Sequence, residues 1–359
     1  MKKFLVYVLA ALLIFSLLGC KAKPVEQEPL VDQNTLSGPW IGVCLPAETE
    51  TWRERGVLLQ RALNELDYPV EILYAENDPA TQSQQMITLT EKPVAAIVVA
   101  AVDGMALDKG LQAAEKAGIP VIAYDRFLTN TDTVDGLVTF NYRELGRLAG
   151  QYIVEQKELK NAAQQKKSYN IEFFMGAIED ETALQFHEGL LGALQPYLDA
   201  GVLKSATGRV DFVDTYTAFA DPALASEKLT GYLEEYYQKK TLDIICVASD
   251  EMAAELQNAL ATRQESVFIT GLGGSVAGIQ QVINGGVAAT VYQNYPALAE
   301  LCAGVVNDLV TGTQPEAQLK VDNQKIAVPA WRADGFLVTR DNYQSTLIDT
   351  GIYREDQFQ

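Results

Sequence analysis

The sequence predicts an α/β fold of two doubly wound, parallel-sheet lobes, and three observations predict it. Short apolar runs alternate with segments of helical periodicity, which is the pattern of βα units. The alternation completes four units by Tyr124 and then restarts. The 359 residues suffice for two such bodies at roughly 100–200 residues each.

Each element follows from its residues. Trp40-Ile41-Gly42-Val43-Cys44-Leu45 is an apolar run ended by Pro46, and it reads as a strand buried on both faces. Trp52, Leu59, Leu63 and Leu66 then recur at helical spacing. Residues 70–74 read as a strand, about 79–91 as a helix, and Ala95-Ala96-Ile97-Val98-Val99-Ala100 as the third strand. Residues 106–117 form a helix closed by Gly118, and Pro120-Val121-Ile122-Ala123-Tyr124 is the fourth strand. In the second half, 137–140 is a short strand and 142–156 a helix, while 157–167 is a lysine-rich, solvated helix end or loop. Strand 171–175 and helix 183–198 follow. A long helix covers 221–237, with Asp221 as N-cap and Pro222 at its first position. Strands at 242–248, 267–271 and 287–292 alternate with helices at 252–262 and 276–284. Residues 298–310 form the last long helix, and Phe336-Leu337-Val338 a final strand.

Composition narrows the function. Apolar residues make up 48% and charged residues 21%, which excludes a disordered or collagenous chain. With 28 Lys+Arg against 47 Asp+Glu, the formal charge of −19 gives no electrostatic footprint for nucleic acid. His187 is the single histidine, so a metal site built on several histidines is excluded and no metal or other cofactor is expected. It reads as a surface or half-buried helix residue. Cys44, Cys246 and Cys302 match no zinc or redox spacing and read as buried thiols.

The first residues read as a targeting signal. Lys2 and Lys3 precede an apolar stretch at 4–18, which is shorter than the ~18–20 residues needed to span a bilayer. Leu17-Leu18-Gly19-Cys20 follows and resembles a bacterial lipobox. The resemblance implies a signal peptide at 1–19, cleavage before Cys20, and acylation of that cysteine, with several acyl chains giving stable anchorage. Polar residues 20–37 then read as a tether. The expected location is the extracytoplasmic face of a cell membrane, periplasmic or at the cell surface.

In open α/β sheets, ligands bind beyond the carboxyl ends of the strands. The residues there are Pro46 to Trp52, Val102-Asp103-Gly104, Asp125-Arg126, Asn141, Gly176 to Glu181, Ser249-Asp250, Leu272-Gly273-Gly274 and Gln293-Asn294. Most are polar or glycine, which reads as a solute-binding cleft between lobes. Trp52 fits either a ring-stacking or a core role. Asp125 and Arg126 fit hydroxyl contacts or a strand-end ion pair. Asp250 fits a ligand contact or a helix N-cap, and Asn141 a hinge position.

Ile122-Ala123-Tyr124-Asp125-Arg126 resembles a segment of the extracytoplasmic sugar-binding proteins of ABC transporters, in the type I periplasmic-binding-protein group of ribose, xylose and multiple-sugar receptors. Ile41-Gly42-Val43 with Trp52, Ala75-Glu76-Asn77-Asp78 with Gln82 and Gln85, Val328-Pro329, and Asp341-Asn342-Tyr343 to Gly351-Ile352-Tyr353 are similar to other parts of that family. The resemblance runs from Gly38 to Phe358. It implies two lobes joined by a three-crossing hinge, 38–141 plus 294–327 and 142–293 plus 328–359, that close on a monosaccharide such as xylose, glucose or galactose. It further implies a monomer that delivers the sugar to an ABC permease. The candidate ligand contacts are Trp52, Asp125, Arg126, Asn141, Asp180, Glu181, Asp250 and Gln293, with Asp180 and Glu181 as acidic acceptors that compensate for departures from the family pattern.

Several positions depart from the family pattern. Glu179-Asp180-Glu181-Thr182 stands where the family carries Asp-Asp-Asn-Asn or similar. Ala220 replaces a tryptophan before Asp-Pro, Gly273 an aspartate, Thr51 an arginine, and Gln293 a lysine at the third crossing. Each lost charged hydrogen bond is worth ~1.5–3 kcal/mol unless other residues replace it. An alternative that keeps the fold is a sugar-sensing co-receptor for a membrane histidine kinase or chemoreceptor. Gly271-Leu272-Gly273-Gly274 lacks the spacing of a nucleotide loop, and no nucleophile motif occurs, so the chain does not read as an enzyme. A helix-turn-helix ahead of the first strand is excluded by the signal and tether.

Overall fold

The computed structural model describes residues 31–261 and 266–358. The signal peptide, Cys20 and the start of the tether lie outside the described residues. The main body runs to Tyr343, and the segment from Gln344 belongs to a second compact unit.

The body contains two sheets. The first comprises β1 (Trp40–Leu45), β2 (Val70–Tyr74), β3 (Val94–Val99), β4 (Val121–Tyr124), β5 (Gly136–Phe140), β11 (Leu319–Asp322) and β12 (Ala327–Ala333). Their order is β11-β12-β5-β4-β3-β1-β2, all parallel except the β11–β12 pair. The second comprises β6 (Tyr169–Phe174), β7 (Leu203–Lys204), β8 (Ile244–Val247), β9 (Phe268–Gly273), β10 (Ala289–Gln293) and β13 (Gly335–Thr339). Their order is β13-β10-β9-β8-β6-β7, with only β13 antiparallel to its neighbour. This is the expected pair of doubly wound lobes.

Local chemistry places the helices. Asp78 accepts from the amides of Ala80 and Thr81 and starts the helix Pro79–Thr90. Gly118 ends the helix Asp108–Ala117 at φ 68°, as its position predicts. Asp221 accepts from Ala223 and Leu224 amides and starts Pro222–Glu235. Residues 159–164 of the expected lysine-rich loop form a short helix, Leu159–Gln164, with Leu159 and Ala162 buried. The last part of the expected tether is docked on the first lobe. Gln33 pairs with Asn64 and accepts from the Val70 amide at 2.8 Å, and Ser37 donates to Asp67.

The chain passes between lobes three times: at Asn141 after β5, at Asn294 after β10, and at Asp334 between β12 and β13. One boundary differs from the sequence reading, and one residue stands at a different crossing. The last crossing falls at Asp334 rather than between 327 and 328, because β12 pairs with β5 in the first sheet. Gln293, expected at the third crossing, stands at the second.

The helices that follow the first two crossings are fastened to opposite lobes. Tyr142–Gln156 packs on Glu181–Asp199 in the second lobe. A Cβ on Gly146 would lie 1.9 Å from the Phe186 carbonyl oxygen, and one on Gly189 would lie 1.9 Å from that of Arg143. Only glycine lets the two backbones meet so closely. Tyr295–Val310 packs on Glu50–Glu65, β5 and β12 of the first lobe, and Asn307 on it accepts from the Tyr68 hydroxyl at 2.9 Å.

The core fills both faces of each sheet. Ile41, Val43, Cys44 and Leu45 are fully buried, and so are Ile244, Ile245, Cys246 and Val247. Each such side chain contributes about 1.5–3 kcal/mol of burial. Cys44, Cys246 and Cys302 are free, buried thiols, as their apolar surroundings predict. Among the described residues no helix is long and apolar enough to cross a membrane. In the second unit, Gln344–Ile348 forms a π-helical turn and Glu355–Phe358 a 3-10 turn.

His187 corrects the sequence reading: it is buried, 3% exposed, between Phe173 and Phe212, with Nε2 on the Val210 carbonyl at 2.8 Å. Burial lowers its pKa below the ordinary 6.5, against the pull of the Val210 carbonyl, Asp211 and Glu188. The unfolded chain therefore takes up the proton first, so stability falls as pH drops through about 6.5. Asp250, whose carboxyl burial raises to about 6, works in the opposite direction over the same range, so the test is a difference: between pH 7 and 5 the parent should lose stability relative to His187→Gln in denaturant unfolding.

Candidate ligand-binding cleft

The strand ends bring charged and aromatic groups of both lobes together. On the first lobe, Thr49 caps the helix Glu50–Glu65 and so sets Trp52 and Arg55 on the face toward the strand ends. Trp52 is buried, with the Arg55 guanidinium 4.6 Å and the Arg126 guanidinium 5.2 Å from its ring. Arg55 also lies 4.0 Å from the Tyr295 ring. Burial alone would lower the Arg55 pKa, but Tyr295 and Asp125 beside it raise it instead and keep it charged.

Asp125 and Arg126 diverge at the end of β4. Asp125 has φ 65°, in the left-handed region, which costs a non-glycine residue about 1–2 kcal/mol. The turn is held by the Asp125 amide on the Val138 carbonyl at 2.7 Å and by the Thr139 hydroxyl on the Asp125 carbonyl at 2.6 Å. The Asp125 side chain turns inward and is 2% exposed. It accepts from the Tyr142 and Tyr295 hydroxyls, the latter at 2.9 Å, and faces Arg55 at 3.5 Å. Arg126 stays partly open to solvent. It donates to the Ala101 carbonyl at 3.1 Å and reaches across to Asp180 of the second lobe at 3.3 Å.

On the second lobe, Asp180 caps the helix Glu181–Asp199 through one oxygen and meets Arg126 through the other. Glu181 stands in the first turn, where burial raises its pKa against a hydrogen bond from Gln185. A second contact between lobes runs from the Thr51 hydroxyl to Glu251 at 2.7 Å. Thr51, a departure from the family pattern, therefore spans the cleft.

Asn141 and Asn294 cap the helices after the first two crossings. Gln293 is buried and donates to the Tyr142 hydroxyl at 2.9 Å. Asp250 is buried and fully engaged: it accepts from the Gly274 amide at 2.7 Å, the Ser275 amide at 2.8 Å and the Thr290 hydroxyl at 2.5 Å. Ser249, not Asp250, is the N-cap of that helix. Burial pushes the Asp250 carboxyl up to about 6, against those donors. Gly273 at φ 135° and Gly274 at φ 76° form the turn that wraps the carboxylate, which explains glycine where the family has an aspartate. Beside Ala220, Phe219 is 73% exposed at φ 57°.

Sequence reasoning missed Arg55, Tyr142 and Tyr295. The signal for the two tyrosines was the repetition of Asn-Tyr directly after a strand, at 141–142 and 294–295. Among the described residues no cluster of His, Cys, Asp and Glu is placed to hold a metal ion.

This architecture defines a two-lobed α/β solute-binding protein. The chain belongs to the periplasmic binding protein family, of type I, whose domain matches residues 41–314. Its members bind solutes without converting them, in accord with the non-enzymatic reading of the sequence. Over 328 residues the chain is 30% identical to the multiple sugar-binding periplasmic protein of Azospirillum brasilense, covering 89% of this chain and 91% of the relative. An ABC transporter solute-binding protein of Clostridium phytofermentans, solved with bound β-D-glucose, superposes with a TM-score of 0.84 at 29% identity, over 89% of this chain and 100% of that one. A carbohydrate transporter solute-binding protein of Chloroflexus aurantiacus, solved in complex with D-glucose, gives 0.77 at 27% identity, over 89% and 98%.

Asp250 makes only structural contacts here. Asp250→Ala strips partners from two amides and a buried hydroxyl, and should cost roughly 3 kcal/mol in denaturant unfolding. The loop at 274–275 should also become accessible to proteolysis.

Proposed function

We propose that the chain captures a monosaccharide of the xylose, glucose or galactose type for an ABC importer, and that lipid on Cys20 holds it at the extracytoplasmic face of the membrane. The observation that carries the reading is the Arg126–Asp180 pair, which joins the two lobes where the strands end, beside the buried Trp52. A pyranose offers a rim of hydroxyls to guanidinium and carboxylate. Arg126 and Asp180 supply one donor and one acceptor, each from a different lobe, so a sugar between them favours closure. The glucose-bound relatives support the same ligand class.

Closing on the sugar does the work of transport. The ligand stabilises whichever lobe arrangement it contacts best, and the permease reads that arrangement. The lipobox-like Leu17-Leu18-Gly19-Cys20 supports the anchor.

Calorimetric titration with D-glucose, D-galactose, D-xylose, L-arabinose and myo-inositol tests the ligand class. At least one pyranose should bind, and a hundredfold excess over Kd should add about 2.7 kcal/mol of stability. Arg126→Ala should weaken that binding about ten- to a hundredfold, the worth of one charge-assisted hydrogen bond. Silence from every sugar would refute the reading. For the anchor, palmitate labelling in a bacterial host should be present in the parent and absent in Cys20→Ser.

A further inference from the structure

We infer that Tyr142 is a positioning residue that sets the hinge angle, with the Asp125 carboxylate as its receptor and Tyr295 as the holder of that receptor. This goes beyond the sugar reading and does not depend on which sugar binds.

The two crossings repeat one local structure. Asn141 and Asn294 have φ/ψ of −81°/75° and −76°/73°. Each side chain accepts from the amide three residues on, Glu144 or Ala297, and each backbone carbonyl accepts from the amide four residues on, Leu145 or Leu298, at 3.0 Å. The repeat therefore puts a tyrosine at the first position of each helix. Phe140 lies edge-on to both rings, 6.0 Å from Tyr142 and 5.1 Å from Tyr295, and steers the two hydroxyls to one place. That place is Asp125, with Tyr142 on Oδ1 and Tyr295 on Oδ2.

The two hydroxyls have different jobs because their helices belong to different lobes. Tyr295 starts the helix packed on the first lobe, where Asp125 and Arg55 also reside. It fixes the carboxylate within that lobe. Tyr142 starts the helix fastened to the second lobe by Gly146 and Gly189. Its bond to Asp125 therefore joins the lobes at their pivot. Gln293, at the end of the second sheet's β10, orients that hydroxyl from the second crossing. Burial raises the pKa of both tyrosines well above 10, so both stay protonated donors. The next residue along the chain, Arg126, reaches Asp180 across the cleft. A change in hinge angle is thus passed through one peptide unit to the ligand-facing guanidinium.

Distance measurement between spin labels tests this. The three native cysteines that lie in the described body are buried and unreactive, so Met105→Cys on the first lobe and Val213→Cys on the second, both 63% exposed, carry the labels. Tyr142→Phe removes one hydroxyl and keeps the ring. Without sugar, it should broaden the interlobe distance distribution and shift it outward. Tyr295→Phe, which loosens only the receptor, should do so less. Circular dichroism should show both variants folded. D-glucose affinity should fall about tenfold or more in Tyr142→Phe, chiefly through faster dissociation. Unchanged distributions in both variants would overturn the proposal. Loss of sugar binding with unchanged distances would also overturn it, because the tyrosine would then be a ligand contact. Broadening in a protein that binds no sugar would support the hinge role and refute the sugar reading alone.

Discussion

A buried carboxylate needs partners, and that need organises this molecule. Asp125 sits almost wholly out of water, where an unpaired charge costs several kcal/mol. Its partners come from three separate stretches of chain: Arg55 on the opening helix, Tyr142 after the first crossing and Tyr295 after the second. Satisfying one charge therefore forces two crossings and a helix to meet. The third crossing lies alongside. Ala333 pairs with Phe140 and Gly335 with Gln293, and a Cβ on Gly335 would stand 2.5 Å from the Tyr292 carbonyl oxygen.

The cleft inherits its chemistry from this arrangement. Asp125 is buried among its partners, and the groups beside it that stay partly open to solvent are Arg126 and Asp180, one per lobe. Three departures from the family pattern have structural roles: Thr51 bonds Glu251, Gly273 takes a backbone angle that side chains avoid, and Gln293 orients Tyr142. These positions build the crossings and the loop walls.

Much of this was readable in the chain. The buried strands announce themselves as apolar runs, and the strand-end rule led directly to Asp125, Arg126, Asp180 and Gln293. What escaped was long-range. Tyr142 and Tyr295 look like ordinary first-turn aromatics until the crossings bring them together. Three strands were also hidden, and β7, Leu203–Lys204, is only two residues long. β11 alternates Leu319 and Val321 with exposed Lys320 and Asp322, and β12 carries Pro329 at a register facing Lys320. An edge pair of that composition lacks the apolar run that marks a central strand, and missing it displaced the last crossing. Glu172 sits unannounced inside β6, where Ser205, Thr207 and Tyr237 satisfy it.

The decisive experiment is a crystal structure with bound D-glucose. The sugar's hydroxyls should lie within hydrogen-bond reach of Arg126 and Asp180, with Asp125 still gripped by Tyr142 and Tyr295. A sugar bonded to the Asp125 carboxylate, with both tyrosines turned away from it, would show that Asp125 serves the ligand and not the crossings.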